Sequence, residues 1–338
     1  MRADGGKSAA ATMTRGSRSN EPRPLSAPGR GRPSLTTSAR FCGSPSTQQF
    51  EVRLSAVIEK RPSPSTFSDV EAWAEHYVCT TDLEEKFWPV RAPTQFREGA
   101  EPVRLAQPGR PAIFRPARRG ERTPKLEALK EAQYRARALH AFFHHELQAA
   151  ELMCWALLAF SDAELEFRKG LLGIALDEIR HMNSYREHIE ELGFAIGDFG
   201  VREWFWKRVP TCPTKLSFVA VMGMGLEAAN LEYAADFAAR FRSVGDARGA
   251  EIQERIAQEE IAHVGFATRW FRRWTGGLDF DTWAAQLPAP LSPWVMHGSP
   301  IAEEPRRRAG MNPAFIAALR AYVPEPKGRK PSTTARSE

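Results

Sequence analysis

From Thr123 to Trp274, apolar residues recur every three or four positions, the spacing of helices that bury one face. Four segments can be read. Thr123-Pro124 supplies a cap with proline at the first helical position, and Leu139, Phe142, Phe143, Leu147 and Ala150 mark the buried stripe of a helix that reaches about Phe160. Ser161-Asp162 turns the chain, and Asp162 caps a second helix to Leu192, stopped by Gly193. A looser stretch with Trp204, Trp206, Pro210 and Pro213 follows. Thr214 then caps a third helix to about Arg242, and Gly245-Asp246 turns into a fourth that ends near Trp274, ahead of Gly276-Gly277. Each segment is roughly 28 residues, about 42 Å of helix. Two tight hairpins joined by one long connection predict an all-α protein built on a four-helix bundle over residues 123–277.

The flanks read as arms. Residues 51–122 carry a short helix from about Asp69 to Val78, with Ser68 as cap and Glu71 as its capping-box partner, and then a proline-rich connection through Pro108-Gly109-Arg110-Pro111. Residues 278–323 carry a short helix over Asp281–Gln286, a proline-rich loop to Pro300, and a last helix from Asn312-Pro313 to about Tyr322. Residues 1–50 and 324–338 have the composition of disordered tails.

Charge sharpens this division. The net formal charge is +6, and residues 1–50 alone contribute eight Lys/Arg against Asp4 and Glu21. The remainder is close to neutral, which argues against a nucleic-acid partner. The Arg/Ser-rich, acid-poor start resembles an organelle transit peptide; a flexible tail on a cytoplasmic protein is the other reading. Four cysteines without paired spacing suit a reducing compartment rather than a disulfide framework. No apolar run is long enough to span a bilayer, Leu216 to Leu226 being the best candidate.

The chemistry lies in two Glu-x-x-His motifs, Glu178-Ile-Arg-His181 and Glu260-Ile-Ala-His263. With eight histidines, chance supplies on the order of 0.6 such matches. Here there are two, each deep in a helical segment, and each follows a glutamate in register: Glu146 lies 32 residues before Glu178, and Glu227 lies 33 before Glu260. Residues i and i+3 share a helix face. A helix, a turn and an antiparallel return bring the earlier glutamate level with the pair. Two such hairpins converge four carboxylates and two imidazoles, the ligand set of a di-iron or di-manganese carboxylate site. Carboxylate and imidazole donors suit Fe and Mn, and four glutamates balance two divalent ions.

Glu151 and Glu232 repeat the spacing, each five residues after its partner. Five residues is about 140° around a helix, so both members cannot face one metal pair equally well. Glu146 and Glu227 are the preferred ligands; Glu151 and Glu232 stay as alternatives or as groups beside the site. Asp177 and Glu259, each just before a motif glutamate, are candidates to accept the second N–H of a ligating imidazole. Of His144 and His145, one should be a hydrogen-bonded core residue and neither fits the ligand pattern. Gly223 and Gly225, just before Glu227, either leave room beside the site or permit close helix packing. The aromatic residues of 204–206 and 266–274 are expected to pack the core and the crossover.

The run His144-His145-Glu146-Leu-Gln-Ala-Ala-Glu151-Leu and then Asp177-Glu178-Ile-Arg180-His181 resembles a ferritin-like family of unknown function, itself distantly similar to di-iron tRNA hydroxylases. Asp82-Leu-Glu-Glu-Lys86, Pro108-Gly-Arg-Pro111, Pro290-Leu-Ser-Pro293 and Arg306-Arg-Arg-Ala-Gly310 resemble its flanking blocks, so the likeness spans about residues 65–322. It implies a ferritin-like bundle with two Fe ions, or Mn/Fe, bridged by Glu178 and Glu260, with Glu146 and Glu227 terminal and His181 and His263 one to each metal. It further implies crossed contacts, Asp177 to His263 and Glu259 to His181. Tyr185, four residues after His181, sits where ribonucleotide reductase small subunits hold a tyrosyl radical; ordinary packing is the competing reading.

The function implied is activation of O₂ to oxidise or hydroxylate an unidentified small organic molecule. Electrons would come from a separate reductase, since the chain has no Gly-x-Gly-x-x-Gly fingerprint. A ferroxidase, storage or peroxide-scavenging protein without organic substrate is the alternative, and a tRNA substrate is a narrower form of the first reading.

Overall fold

The computed structural model describes residues 66–118 and 124–324, so the expectations for the two tails and for Thr123 as a cap lie outside the described residues. Among the described residues the chain is all-helical, with one isolated backbone bridge between Pro116 and Val201. Helix α1 spans Val70–Cys79 and α2 spans Leu83–Phe87. The long elements are α3 (Ala132–Ala159), α4 (Leu165–Glu191), α5 (Lys215–Val221), α6 (Ala228–Ser243) and α7 (Ala247–Thr275). A π-helical segment, Met222–Glu227, joins α5 to α6. Three short helices close the chain: α8 (Phe280–Ala284), α9 (Glu303–Arg308) and α10 (Pro313–Ala321). Among these helices, none is long and apolar enough to cross a membrane.

Helices α3 and α4 pack as one antiparallel hairpin, α6 and α7 as another, and α4 meets α7 between them. The core they share contains Trp155, Phe143, Phe167, Phe218, Phe241 and Phe271, all buried. Caps fix the hairpin ends. Thr214 accepts from the Ser217 amide and Asp246 from the Gly249 amide, while Gly193 and Gly276 adopt the left-handed conformation (φ 86° and 75°) that ends α4 and α7.

Three expected boundaries move. The first long helix does not run unbroken from Pro124: a 3₁₀ turn at Leu126–Lys130 precedes it, and Glu131 is extended (φ −91°, ψ 135°). The Arg135 guanidinium donates to the Leu129 and Lys130 carbonyls at 2.9 Å each, taking acceptors that a continuous helix would use itself. The second long helix is capped by Glu164, not Asp162. In α1, Asp69 rather than Ser68 caps, accepting from Ala72 at 2.9 Å, while Ser68 donates to Asp69. Glu71 is no capping-box partner; it accepts from the Arg97 amide and pairs with Arg168.

Both arms are fastened by buried ion pairs. Glu151 of α3 meets Lys86 Nζ at 2.9 Å, the Arg110 fork at 2.5 and 2.7 Å, and the Trp206 indole N–H at 2.8 Å. Glu232 of α6 takes the Arg306 guanidinium at 2.8 Å on each oxygen and the amides of Gly298 and Ala302. Neither carboxylate has water to fall back on, because both are buried. Removing one partner therefore strands a charge, and Arg306→Ala should destabilise the protein by about 3–5 kcal/mol. Denaturant unfolding measures this, and Arg306→Ala combined with Glu232→Leu should recover part of the loss. A single variant as stable as the parent would show that the pair does not anchor the arm.

Candidate metal centre

Six side chains meet between the two hairpins. Helix α3 contributes Glu146, and one turn of α4 contributes Glu178 and His181. The last residue of the π segment is Glu227, and one turn of α7 contributes Glu260 and His263. They form two overlapping groups of potential ligands, Glu146/Glu178/His181/Glu260 and Glu178/Glu227/Glu260/His263, whose donor atoms lie within 4.8 Å of one another in each group. Glu178 and Glu260 belong to both groups and, like His181, are fully buried; the other three are nearly so.

Helix geometry explains the convergence. The i,i+3 spacing stacks each histidine on its own glutamate, with His181 Nδ1 3.3 Å from Glu178 and His263 Nδ1 3.1 Å from Glu260. His263 Nδ1 also comes within 3.0 Å of Glu178, and the two imidazoles lie 5.8 Å apart, centroid to centroid. Before Glu227 the chain passes very close to its neighbours. A Cβ on Gly223 would fall 2.2 Å from the Ala267 Cβ, and one on Gly225 would fall 2.5 Å from Met296 Sδ. The two glycines therefore serve close packing. A π turn holds an extra residue and shifts the phase of the helix beyond it, and such turns are frequent at functional sites.

Four carboxyl groups this deep cannot all stay ionised without positive charge nearby. Burial, reinforced by Glu178, raises Glu146 well above the usual carboxylate range. Burial, reinforced by Glu260, does the same to Glu227. Burial also pushes Glu178 up, but the His263 and His181 imidazoles outweigh it and hold that carboxyl below its ordinary range. Both histidines are raised: burial works against their charge, and the Glu178 and Glu260 carboxylates overcome it. A buried oxygen of Glu227 (Oε1) finds no hydrogen-bond partner. A converging set of hard oxygen and imidazole donors with unfilled acceptor capacity fits a pair of cations.

The far nitrogen of each imidazole is held from the opposite hairpin. His181 Nε2 lies 2.6 Å from Glu259, and His263 Nε2 lies 3.3 Å from Asp177. Arg180 spans the two acceptors, 2.7 Å from each carboxylate. These contacts leave Nδ1 of both rings facing the buried carboxylates. Asn230, one turn beyond Glu227, donates to Glu260 at 3.3 Å; its place on the Glu227 face was the available signal in the sequence. Tyr185 is buried, its phenol held protonated by burial and by the Glu146 and Glu260 charges, and its ring packs on Phe142 at 5.8 Å.

Glu151 and Glu232, kept as alternative ligands, join neither group, since the arm cations take them. His144 is the core histidine, 3.1 Å from Glu203, and His145 stacks on Phe205 at 5.1 Å. Phe266, Trp270 and Trp274 do pack the core, around Phe167. Trp206 lies in the core and Trp204 and Phe205 pack against it; the latter two also line a cavity of about 720 Å³ whose wall includes Glu146 and Glu227. Only assembly of the crossover over α3 and α6 creates that space.

Residues 70–317 match the model of a family described as a protein of unknown function (DUF455). An uncharacterised protein of Haemophilus influenzae is 27% identical over 174 residues, which is 49% of this chain and 59% of that relative. The chain thus spans somewhat over half the length of this relative. No solved structure matches.

The donor set dictates how metal content responds to substitution. His181→Ala should lower the metal content by mass spectrometry from two to one per chain. Glu178→Ala, which belongs to both groups, should lose both ions, while Glu151→Gln and Glu232→Gln should keep two; a full complement in the first two variants would refute the assignment. Because Glu146, Glu227, His181 and His263 are all raised, ligation must strip protons, so affinity should climb with pH and loading should release protons. Calorimetric titration in buffers of differing ionisation enthalpy reads that release directly, and a buffer-independent heat would contradict it.

Proposed function

The chain belongs to the DUF455 family of proteins of unknown function, and from its own site we propose a ferritin-like, dinuclear metal oxidoreductase that uses O₂ to oxidise or hydroxylate a small organic molecule. The observation that carries this reading is the pair of buried ligand groups sharing Glu178 and Glu260 beside a cavity that reaches Glu146 and Glu227. Glu178 and Glu260 would bridge two iron ions, or manganese and iron, with Glu146 and His181 completing one position and Glu227 and His263 the other. Bound there, the metal pair supplies the redox chemistry with O₂.

The protein supplies the setting. Asp177 and Glu259 fix the imidazoles with Nδ1 inward, and Arg180 fixes the two acceptors against each other. Burial excludes water from the Glu178 and Glu260 carboxylates. The cavity holds the organic molecule against the Glu146 and Glu227 side of the cluster. Tyr185 keeps its proton and packs against Phe142; a redox role for it is part of this proposal. Reducing equivalents would come from a separate reductase.

The alternative reading, iron oxidation, storage or peroxide removal without an organic substrate, fits the same ligands but gives the large cavity no task. Kinship with di-iron tRNA hydroxylases remains a narrower form of the proposal, and the near-neutral charge beyond residue 50 speaks against an RNA partner. The test is a stopped-flow absorbance trace on anaerobic, ferrous-loaded protein mixed with air. Two metals per chain and new near-ultraviolet or visible bands are expected. Protein that stays metal-free with iron and manganese supplied, or metal-loaded protein inert to O₂, would overturn the proposal.

A further inference from the structure

We propose that His188 is a protonation-sensitive latch: as an imidazolium it ties the turn before α7 to the end of α4, and deprotonation releases that tie. The inference rests on the contacts of one buried side chain and is independent of the metal centre.

His188 lies in the last turn of α4 and is buried. Its two ring nitrogens meet two different carboxylates. Nε2 lies 2.9 Å from Asp246 Oδ1, and Nδ1 lies 2.9 Å from Glu191 Oε2. An ionised carboxylate only accepts, so both nitrogens must carry a proton for both contacts to be hydrogen bonds. A neutral ring has one N–H, and its other nitrogen would turn a lone pair on a carboxylate at hydrogen-bond distance. The geometry therefore calls for the charged ring. Burial works against that charge, and the Asp246 and Glu191 carboxylates outweigh it and raise the imidazole above its ordinary range.

Asp246 is what gives the charge its reach. It caps α7 by accepting from the Gly249 amide at 2.8 Å, and its Oδ2 lies 3.2 Å from Arg135 Nε of α3. One carboxylate thus joins the start of α3, the end of α4 and the start of α7. Two further contacts cross from α4 to α7 nearby, Glu187 to Arg248 at 3.7 Å and Ser184 to Arg255 at 2.7 Å, and neither involves a group that titrates near neutral pH. Losing the His188 proton removes one hold and leaves these, the Arg135 pair and the cap, so the turn loosens without unfolding the hairpin. Linkage fixes the direction. Freed of its partners the ring titrates near 6.5, and in the closed latch it titrates higher. The tie is complete below pH 6.5 and is lost as pH climbs through the raised value. Within that window opening becomes up to about tenfold easier per pH unit.

Hydrogen–deuterium exchange of the full chain at about pH 6 and about pH 8.5, corrected for the intrinsic rate, tests the latch. In the parent, peptides over residues 244–250 should lose about tenfold of their protection at the higher pH. In His188→Gln the same peptides should be weakly protected and indifferent to pH. Glu191 is exposed, and Glu191→Gln leaves the Asp246 bond in place, so it should move the loss to lower pH without abolishing it. Groups of the metal centre titrate in all three proteins and cancel in the comparison. Equal protection of the parent turn at both pH values, or a His188→Gln variant that follows the parent, would overturn the inference. Should His188→Gln fail to fold, an unmoved transition in Glu191→Gln overturns it alone.

Discussion

Six glutamates of the two hairpins are buried, and the cost of burying carboxylates organises the rest of the molecule. Two solutions coexist. Glu151 and Glu232 are neutralised from outside the hairpins by Lys86, Arg110 and Arg306, long cationic side chains carried by the arms. Glu146, Glu178, Glu227 and Glu260 instead cluster around the His181 and His263 imidazoles. The shortfall of positive charge appears as the raised carboxyls of Glu146 and Glu227. Protons can meet that deficit, and so can two divalent cations. The arms are therefore part of the electrostatic design.

The repeated five-residue spacing sets the geometry of both solutions. Glu146 and Glu151 in one hairpin, and Glu227 and Glu232 in the other, stand five residues apart and so point about 140° away from each other. The first member of each pair turns to the common interior, and the second turns outward to meet an arm. The same logic crosses between the hairpins at Asp177 and Glu259, each adjacent to one motif but bonded to the other motif's histidine. Arg180 then joins the two acceptors. Rotating α4 against α7 would break both histidine contacts at once, so the relative phase of the two ligand-bearing helices is held on one face.

Local spacing made the six converging side chains readable in the sequence, because helical period decides which residues share a face, while the crossed contacts of Asp177 and Glu259 were implied only by the family resemblance. The same period excluded a common orientation for Glu146 and Glu151, and the 32- and 33-residue spacing preferred Glu146 and Glu227 as the inward members, but where the outer pair would go was not legible. That depends on Lys86, Arg110 and Arg306, which are remote in sequence. The break at Glu131 escaped for a related reason, since Pro124 and the following helix formers read as one helix until Arg135 is seen holding the Leu129 and Lys130 carbonyls. That Trp204 and Phe205, besides packing on the core, also line a cavity could not be read, because the cavity exists only once the crossover lies over α3 and α6.

That cavity makes the two sides of the cluster unlike. The side of the cluster formed by α4 and α7 is closed by the Asp177, Arg180 and Glu259 network. The side formed by α3 and α6 carries the raised Glu146 and Glu227 and opens on about 720 Å³ of largely apolar space. The carboxyls shared by both ligand groups, Glu178 and Glu260, lie on the braced helices. The unshared ones lie on the helices that border the cavity, and Glu227 closes a π segment, where helix geometry is least regular. A rigid back with shared carboxylates and a front with unshared ones beside an empty space is an arrangement in which a bound molecule contacts the cluster without disturbing what holds it together.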